Sequence, residues 1–231
     1  MEWNHYLQYN DSAMLPKLKQ TYNLVLDLLF PIKCQRCGVE GDYLCLSCQQ
    51  RIEPPLNPGP APKELKGLIV IARYEDEAIR NLIWNLKYNS VLDIAKTLGL
   101  LMTDYLIKND LQEHFATAAA IPVPLHKRRK RARGYNQAEE IARAVAINLE
   151  LQLVPALKKI RSTARQVDLE KSEREKNLEN AFATVPTPSL GDRRVLLIDD
   201  VASTGTTLNE CAKALKNQGA SEIWGLVVAR K

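Results

Sequence analysis

Two adjacent carboxylates, Asp199 and Asp200, close the branched apolar run Val195-Leu196-Leu197-Ile198, and the hydroxyl-rich stretch Ser203-Thr204-Gly205-Thr206-Thr207 follows shortly after. A continuous branched run of that kind reads as a strand buried on both faces. Beyond the stretch, Leu208, Cys211, Ala212 and Leu215 recur at helical spacing. The order is therefore strand, polar loop, helix. Free backbone N–H groups of the loop and of the first helical turn converge where the helix macrodipole is positive, which favours an anion. Gly205 permits close backbone approach, and the serine and threonine hydroxyls add donors. Carboxylates do not bind phosphate, but they accept hydrogen bonds from vicinal hydroxyls or face a cationic transition state. A phosphorylated sugar satisfies both halves; taken separately, an Asp-Asp pair merely ends a strand and a Thr-Gly turn merely starts a helix.

A second group is metal-like. Cys34-x-x-Cys37 and Cys45-x-x-Cys48 form two knuckles close enough in sequence to close one tetrahedral thiolate site, with Gly38 and Gly41 available for tight turns. Four thiolates fill the coordination sphere of Zn2+, so the expectation is a structural ion rather than a catalytic one. A redox pair or disulfides are the competing readings, less suited to a chain that lacks a secretory start. Cys211 falls on the apolar face of the last long helix and reads as core.

From Lys127 to Arg133 every residue except Ala132 is basic, in a chain of net charge +5. Arg128, Arg129, Lys130, Arg131 and Arg133 invite a polyanion such as nucleic acid, and a solvated loop is the equally weighted alternative. His5, His114 and His126 have no metal-like spacing, and His126 reads as a solvated loop residue.

Several elements must position these groups. Leu18, Tyr22, Val25, Leu26 and Leu29 predict an amphipathic helix over 15–30, stopped by Pro31. Pro54, Pro55, Pro58, Pro60 and Pro62 forbid helix and sheet and predict a stiff linker. Beyond it, apolar runs at 68–73, 118–123, 194–198 and 222–228 alternate with amphipathic stretches at 76–87, 91–108, 137–149 and 206–218. Such alternation is the mark of a parallel sheet with crossover helices. Asn136 is placed to cap the third helix, with Glu139 answering back. Lys87, at the end of the first, reads as a complement to the helix dipole, with a substrate contact as the minor alternative. The predicted organisation is an N-terminal segment and helix over 1–31, a four-cysteine zinc module over 32–53, a Pro-rich linker over 54–67 and an α/β domain over 68–231. No run reaches the ~20 apolar residues a membrane helix needs, and no basic, apolar signal peptide opens the chain.

The run Val195 to Thr207 resembles the signature of type I phosphoribosyltransferases. The resemblance implies that fold, a mainly parallel sheet flanked by helices, with a zinc-ribbon-like module before it. It implies that Asp199 and Asp200 hold the ribose hydroxyls of phosphoribosyl pyrophosphate. Ser203, Thr204, Gly205, Thr206 and Thr207 would cradle the 5′-phosphate, and Mg2+ would travel with the pyrophosphate. Ile121-Pro122-Val123-Pro124 and the following Leu125, His126 and Lys127 resemble a pyrophosphate loop. Arg161 to Gln166, with Arg165, and the Ala181-Phe182 pair beyond resemble a mobile catalytic loop of glutamine phosphoribosylpyrophosphate amidotransferases. One position departs: where members acting on 6-oxopurines carry an Asp as general base, this chain has Ser203. A serine hydroxyl cannot take a proton at neutral pH without a partner.

In their order, these segments resemble the ComF family of competence proteins from about Leu24 to Ala229. That resemblance implies a role in DNA uptake during natural transformation. Its implied partners are single-stranded DNA and a competence helicase, and its implied place is the cytoplasm, at the inner face of the membrane with the uptake machinery. Three activities stay open at the level of sequence. They are pentosyl transfer from phosphoribosyl pyrophosphate, non-catalytic binding of single-stranded DNA beside a sensory or relic transferase site, and salvage of a nucleobase or amine.

Overall fold

The computed structural model describes residues 31–161, 178–186, 190 and 193–231. The helix expected over 15–30 and Arg165 lie outside the described residues. The chain divides into two units, Met1–Gln50 and Arg51–Lys231. The described part of the first carries the cysteines on two turns and a short helix α1 (Leu46–Gln49), with a bridge between Lys33 and Glu40.

The second unit is built on a five-stranded sheet. Its strands are β1 (Gly67–Arg73), β2 (Ala119–Pro122), β3 (Gln152–Leu153), β6 (Arg194–Ala202) and β7 (Glu222–Arg230), in the order β1-β7-β6-β2-β3. Every pairing in it is parallel, as the alternation of runs and helices requires. Five helices connect the strands: α2 (Glu77–Tyr88), α3 (Asp93–Lys108), α4 (Gln112–Phe115), α5 (Lys127–Arg133) and α6 (Gln137–Asn148). A further helix, α7 (Thr206–Lys216), follows β6. A separate antiparallel pair, β4 (Leu157–Lys159) and β5 (Phe182–Thr184), lies outside the four expected apolar runs, as does β3.

Side chains alternate across β6, so the strand has two buried faces. Val195 and Leu197 join the core formed with Leu208, Cys211, Ala212 and Leu215 of α7 and with Leu157 and Phe182 of the antiparallel pair. Leu196 and Ile198 are equally buried and belong to the opposite face, covered by α3 and α6. Those two helices touch where a Cβ on Gly99 would stand 2.4 Å from Ala144 Cβ, so only glycine fits that crossing.

Three local expectations are corrected. First, β6 does not end at Ile198: Asp199, Val201 and Ala202 pair with Val227, Ala229 and Arg230 of β7. The carboxyls do not break the strand because each accepts the next residue's amide, Asp200 N to Asp199 Oδ1 at 2.8 Å and Val201 N to Asp200 Oδ1 at 2.7 Å. Second, the basic run is a helix rather than a loop, capped by His126 Nδ1, which accepts from Arg128 N at 3.3 Å, and ended by Gly134 in the left-handed region. Third, Asn136 precedes α6 without capping it through its side chain; its Nδ2 donates instead to Val123 O at 3.0 Å, tying helix to strand end.

The Pro-rich segment belongs to the second unit and packs onto it. Arg230 donates to Pro58 O at 2.6 Å and Pro60 O at 2.9 Å, Glu64 N donates to Asn209 Oδ1 at 3.0 Å, and Lys216 pairs with Glu64 at 3.0 Å.

Candidate sugar-phosphate site and thiolate cluster

At the C-terminal end of β6 the alternation that buries Val195 and Leu196 on opposite faces sends Asp199 and Asp200 to opposite faces as well. Both are buried, at 8% and 3% exposure. Asp199 shares its surroundings with Cys211 of α7 and Lys159 of β4. Burial, reinforced by the negative charge of Asp200, pushes its carboxyl up to about 8 although Lys87 opposes the rise. At neutral pH Asp199 is therefore largely a neutral acid able to donate a hydrogen bond. Lys159, half-buried over the Phe182 ring at 5.1 Å, is driven down to about 8 by burial and by Arg129.

Asp200 faces a cation. Lys87 Nζ, from the last turn of α2, stands 2.7 Å from Asp200 Oδ2, with side-chain exposures of 21% and 4%. Burial works against the charge on Lys87, but Asp200 outweighs it and holds the ammonium above its ordinary range. At 2.7 Å the pair is a charge-assisted contact on a buried carboxylate oxygen. Reading Lys87 as a dipole complement missed this pairing. The one signal in the sequence is that a half-polar helix ends in lysine, which many helices do.

The loop follows directly. Ser203, Thr204, Thr206 and Thr207 are half-buried and Gly205 is buried. Thr204 and Thr206 share a hydrogen bond between hydroxyls at 2.7 Å. Gly205 takes φ +80 at the N-cap of α7 and has no side chain to cap the helix, while Thr206 N donates to Thr204 Oγ1 at 3.4 Å. A Cβ there would stand 2.6 Å from Pro62 Cγ. A helix start behind a glycine, with hydroxyls beside it, is a cradle for a phosphate group. An open cavity of about 450 Å³ adjoins it, lined by Pro62, Lys63, Thr206 and Lys213 among others. Leu125 and His126 are half-buried ahead of α5, after the last residue of β2.

In the first unit the thiol sulfurs of Cys34, Cys37, Cys45 and Cys48 lie within 4.8 Å of one another. Cys37 and Cys45 Sγ are 3.6 Å apart, near the ~3.8 Å edge of a tetrahedron with 2.3 Å metal–sulfur bonds. Burial would raise the Cys34 thiol, but the amides of Cys45, Cys37 and Arg36 outweigh it and hold it at about 6. Burial and the neighbouring thiols push Cys48 up to about 12, a repulsion that a cation at the centre relieves. The donor set fits a structural metal. Among the described residues no other group of three or more metal-ligating side chains comes together.

Residues 133–231 match the phosphoribosyl transferase domain family. Competence protein F of Haemophilus influenzae is 34% identical over 203 residues, covering 85% of this chain and 84% of that protein. The DNA utilization protein YhgH of Escherichia coli is 30% identical over 201 residues, covering 84% and 82%. A purine phosphoribosyltransferase from Pyrococcus horikoshii aligns at TM-score 0.35 and 15% identity over 58% of this chain and 80% of that one, too loose a likeness to bear on function.

Proposed function

Because the chain belongs to the ComF family of competence proteins, with a phosphoribosyltransferase domain, we propose that it binds phosphoribosyl pyrophosphate with Mg2+ in the service of DNA uptake. The observation that carries this reading is the continuity of β6 into α7. One strand delivers two buried carboxyls and ends at Ala202, and Ser203 to Gly205 form the loop into the helix start at Thr206. The 5′-phosphate would take the amides and hydroxyls of Ser203 to Thr207. The ribose diol would meet Asp200 as an acceptor and neutral Asp199 as a donor. Mg2+ would be held mainly by ligand and water rather than by Asp200, which Lys87 already faces, and would supply positive charge against the leaving group.

Bound in this way, the C1–O bond to pyrophosphate is the one poised to break. Pyrophosphate would leave with the bonding pair, Asp200 would face the cationic ribose, and the incoming nucleophile would form the new C1 bond and give its proton to the departing pyrophosphate. Ser203 does not supply the base for that proton. Four thiolates in the first unit would hold Zn2+ and fold that module.

Calorimetric titration with phosphoribosyl pyrophosphate and Mg2+, followed by mass spectrometry of a reacted metabolite mixture, tests the reading. Saturable binding that is measurably weakened in Asp200→Asn supports it. Equal heats in that variant would count against it. Binding without product would leave a sensor rather than a transferase.

A second reading, a single-stranded DNA module, is favoured by α5. Lys127, Arg128, Lys130 and Arg131 are exposed on it, and the exposed rings of Trp84 and Tyr88 lie with centroids 4.3 Å apart, tilted by 44°, with Arg133 of α5 5.9 Å from the Tyr88 ring. Cations along a backbone track and aromatic faces for bases are what single strands use.

A further inference from the structure

Resting on the sugar-phosphate reading, we propose that Lys87 is a positioning residue of that site: paired with Asp200, it fixes where the acidic pair carries its negative charge and lets two buried carboxyls receive a polyanion. Three observations build the case. Two adjacent buried carboxyls open onto a ligand that itself carries several negative charges, so an uncompensated pair would repel it. Lys87 reaches the pair from another element, α2, and meets only Asp200, at 2.7 Å on Oδ2, while Asp199 turns to the other face of the sheet. The last turn of α2 is itself held: Tyr135 donates to Leu86 O, and Arg133 lies over Tyr88. The cation is thus delivered by a fixed helix end rather than by a floppy surface side chain.

The consequence is a division of labour within the pair. Asp200 carries the ion pair with Lys87, and burial raises the Asp199 carboxyl toward its neutral form. The groups that face the pair are Lys87 from α2, Lys159 from β4 and Cys211 from α7, with Arg133 acting on Lys87 from α5. Of these only Lys87 touches a carboxyl oxygen among the described residues.

The test is a double-mutant cycle read by calorimetric titration of phosphoribosyl pyrophosphate with Mg2+. Lys87→Met should weaken binding by about 30-fold or more, as removing one partner of a buried charge pair does. Lys87→Arg, which keeps the charge, should recover most of that loss. In an Asp200→Asn background Lys87→Met should change affinity by less than about 3-fold, because the charge it compensates is gone. If Lys87→Met binds within about 3-fold of the unsubstituted protein, or costs as much in the Asp200→Asn background as with Asp200 in place, the assignment is overturned. If the unsubstituted protein binds no phosphoribosyl pyrophosphate, the sugar-phosphate reading falls, and this inference falls with it. Carboxyl carbon NMR supplies a ligand-free arm that a merely structural lysine would not move: Asp199, at about 8 in the unsubstituted protein, should titrate higher in Lys87→Met. An unchanged titration there also refutes the proposal.

Discussion

Gly205→Ala probes the phosphate loop and the Pro-rich segment at once. Gly205 holds φ +80, and a Cβ on it would stand 2.6 Å from Pro62 Cγ. An L-residue in the left-handed region costs roughly 1–2 kcal/mol. Overpacking a fixed neighbour costs roughly 1–3 kcal/mol more. Pro62 has little room to retreat, because Arg230 holds Pro58 and Pro60 on one side and Asn209 and Lys216 hold Glu64 on the other. The entropy lost by the unfolded chain returns only about 0.4–1 kcal/mol. The expected destabilisation is therefore about 2–4 kcal/mol. At about 2–4 °C per kcal/mol for a unit of this size, the melting temperature should fall by about 5–15 °C. Urea unfolding followed by circular dichroism measures it. Adding Pro62→Ala should recover the overpacking share and leave the backbone strain of about 1–2 kcal/mol. A change within about 0.5 kcal/mol in Gly205→Ala, or no recovery in the double variant, would refute the reasoning.

Other consequences can be measured separately. Chelation or Cys34→Ser should release about one Zn2+ per chain, read with a colorimetric metal dye, while the circular dichroism of the sheet-bearing unit persists; a chain that never held zinc contradicts this. Asp199 is raised from 3.8 to about 8, so the folded state holds a proton that the unfolded state has lost between those values. Its contribution to stability therefore falls as pH rises through that window, by at most about 1.4 kcal/mol per unit. Asp199→Asn should flatten the slope in urea titrations from pH 5 to 8, and an unchanged slope would argue against a buried neutral acid. For the nucleic-acid reading, Arg128→Glu with Arg131→Glu should weaken binding of a single-stranded oligonucleotide and reduce the salt slope by about 0.7 for each phosphate no longer neutralised; a slope that does not move would clear α5.

Four of the five sheet strands and the long helices were legible because those strands are apolar runs with buried centres and each long helix carries an apolar stripe, whereas β3, two partly exposed residues, carries no such run. Where reading failed, the deciding interactions were non-local or charge masked them. Asp199 and Asp200 read as the end of a strand, since nothing local shows that β7 continues alongside them. The run Lys127 to Arg133 has no apolar periodicity; its helix rests on the cap at His126 and the turn at Gly134. Residues of β4 and β5 are too few to declare a strand, and they pair across a long stretch of chain. Lys87 is the instructive miss: its partner lies on another strand, and only the fold brings ammonium to carboxylate. By contrast, the cysteine quartet was readable entire, because two paired spacings already confine four sulfurs to one place.

The central claim is that the end of β6 and the start of α7 recognise a ribose 5-phosphate. A crystal structure of the protein soaked with phosphoribosyl pyrophosphate and Mg2+ tests it most directly. The account predicts the 5′-phosphate on the amides of Ser203 to Thr207 and the ribose hydroxyls within hydrogen-bonding distance of Asp199 and Asp200. Phosphate density on α5 or elsewhere, with that loop empty at saturating ligand, would contradict it.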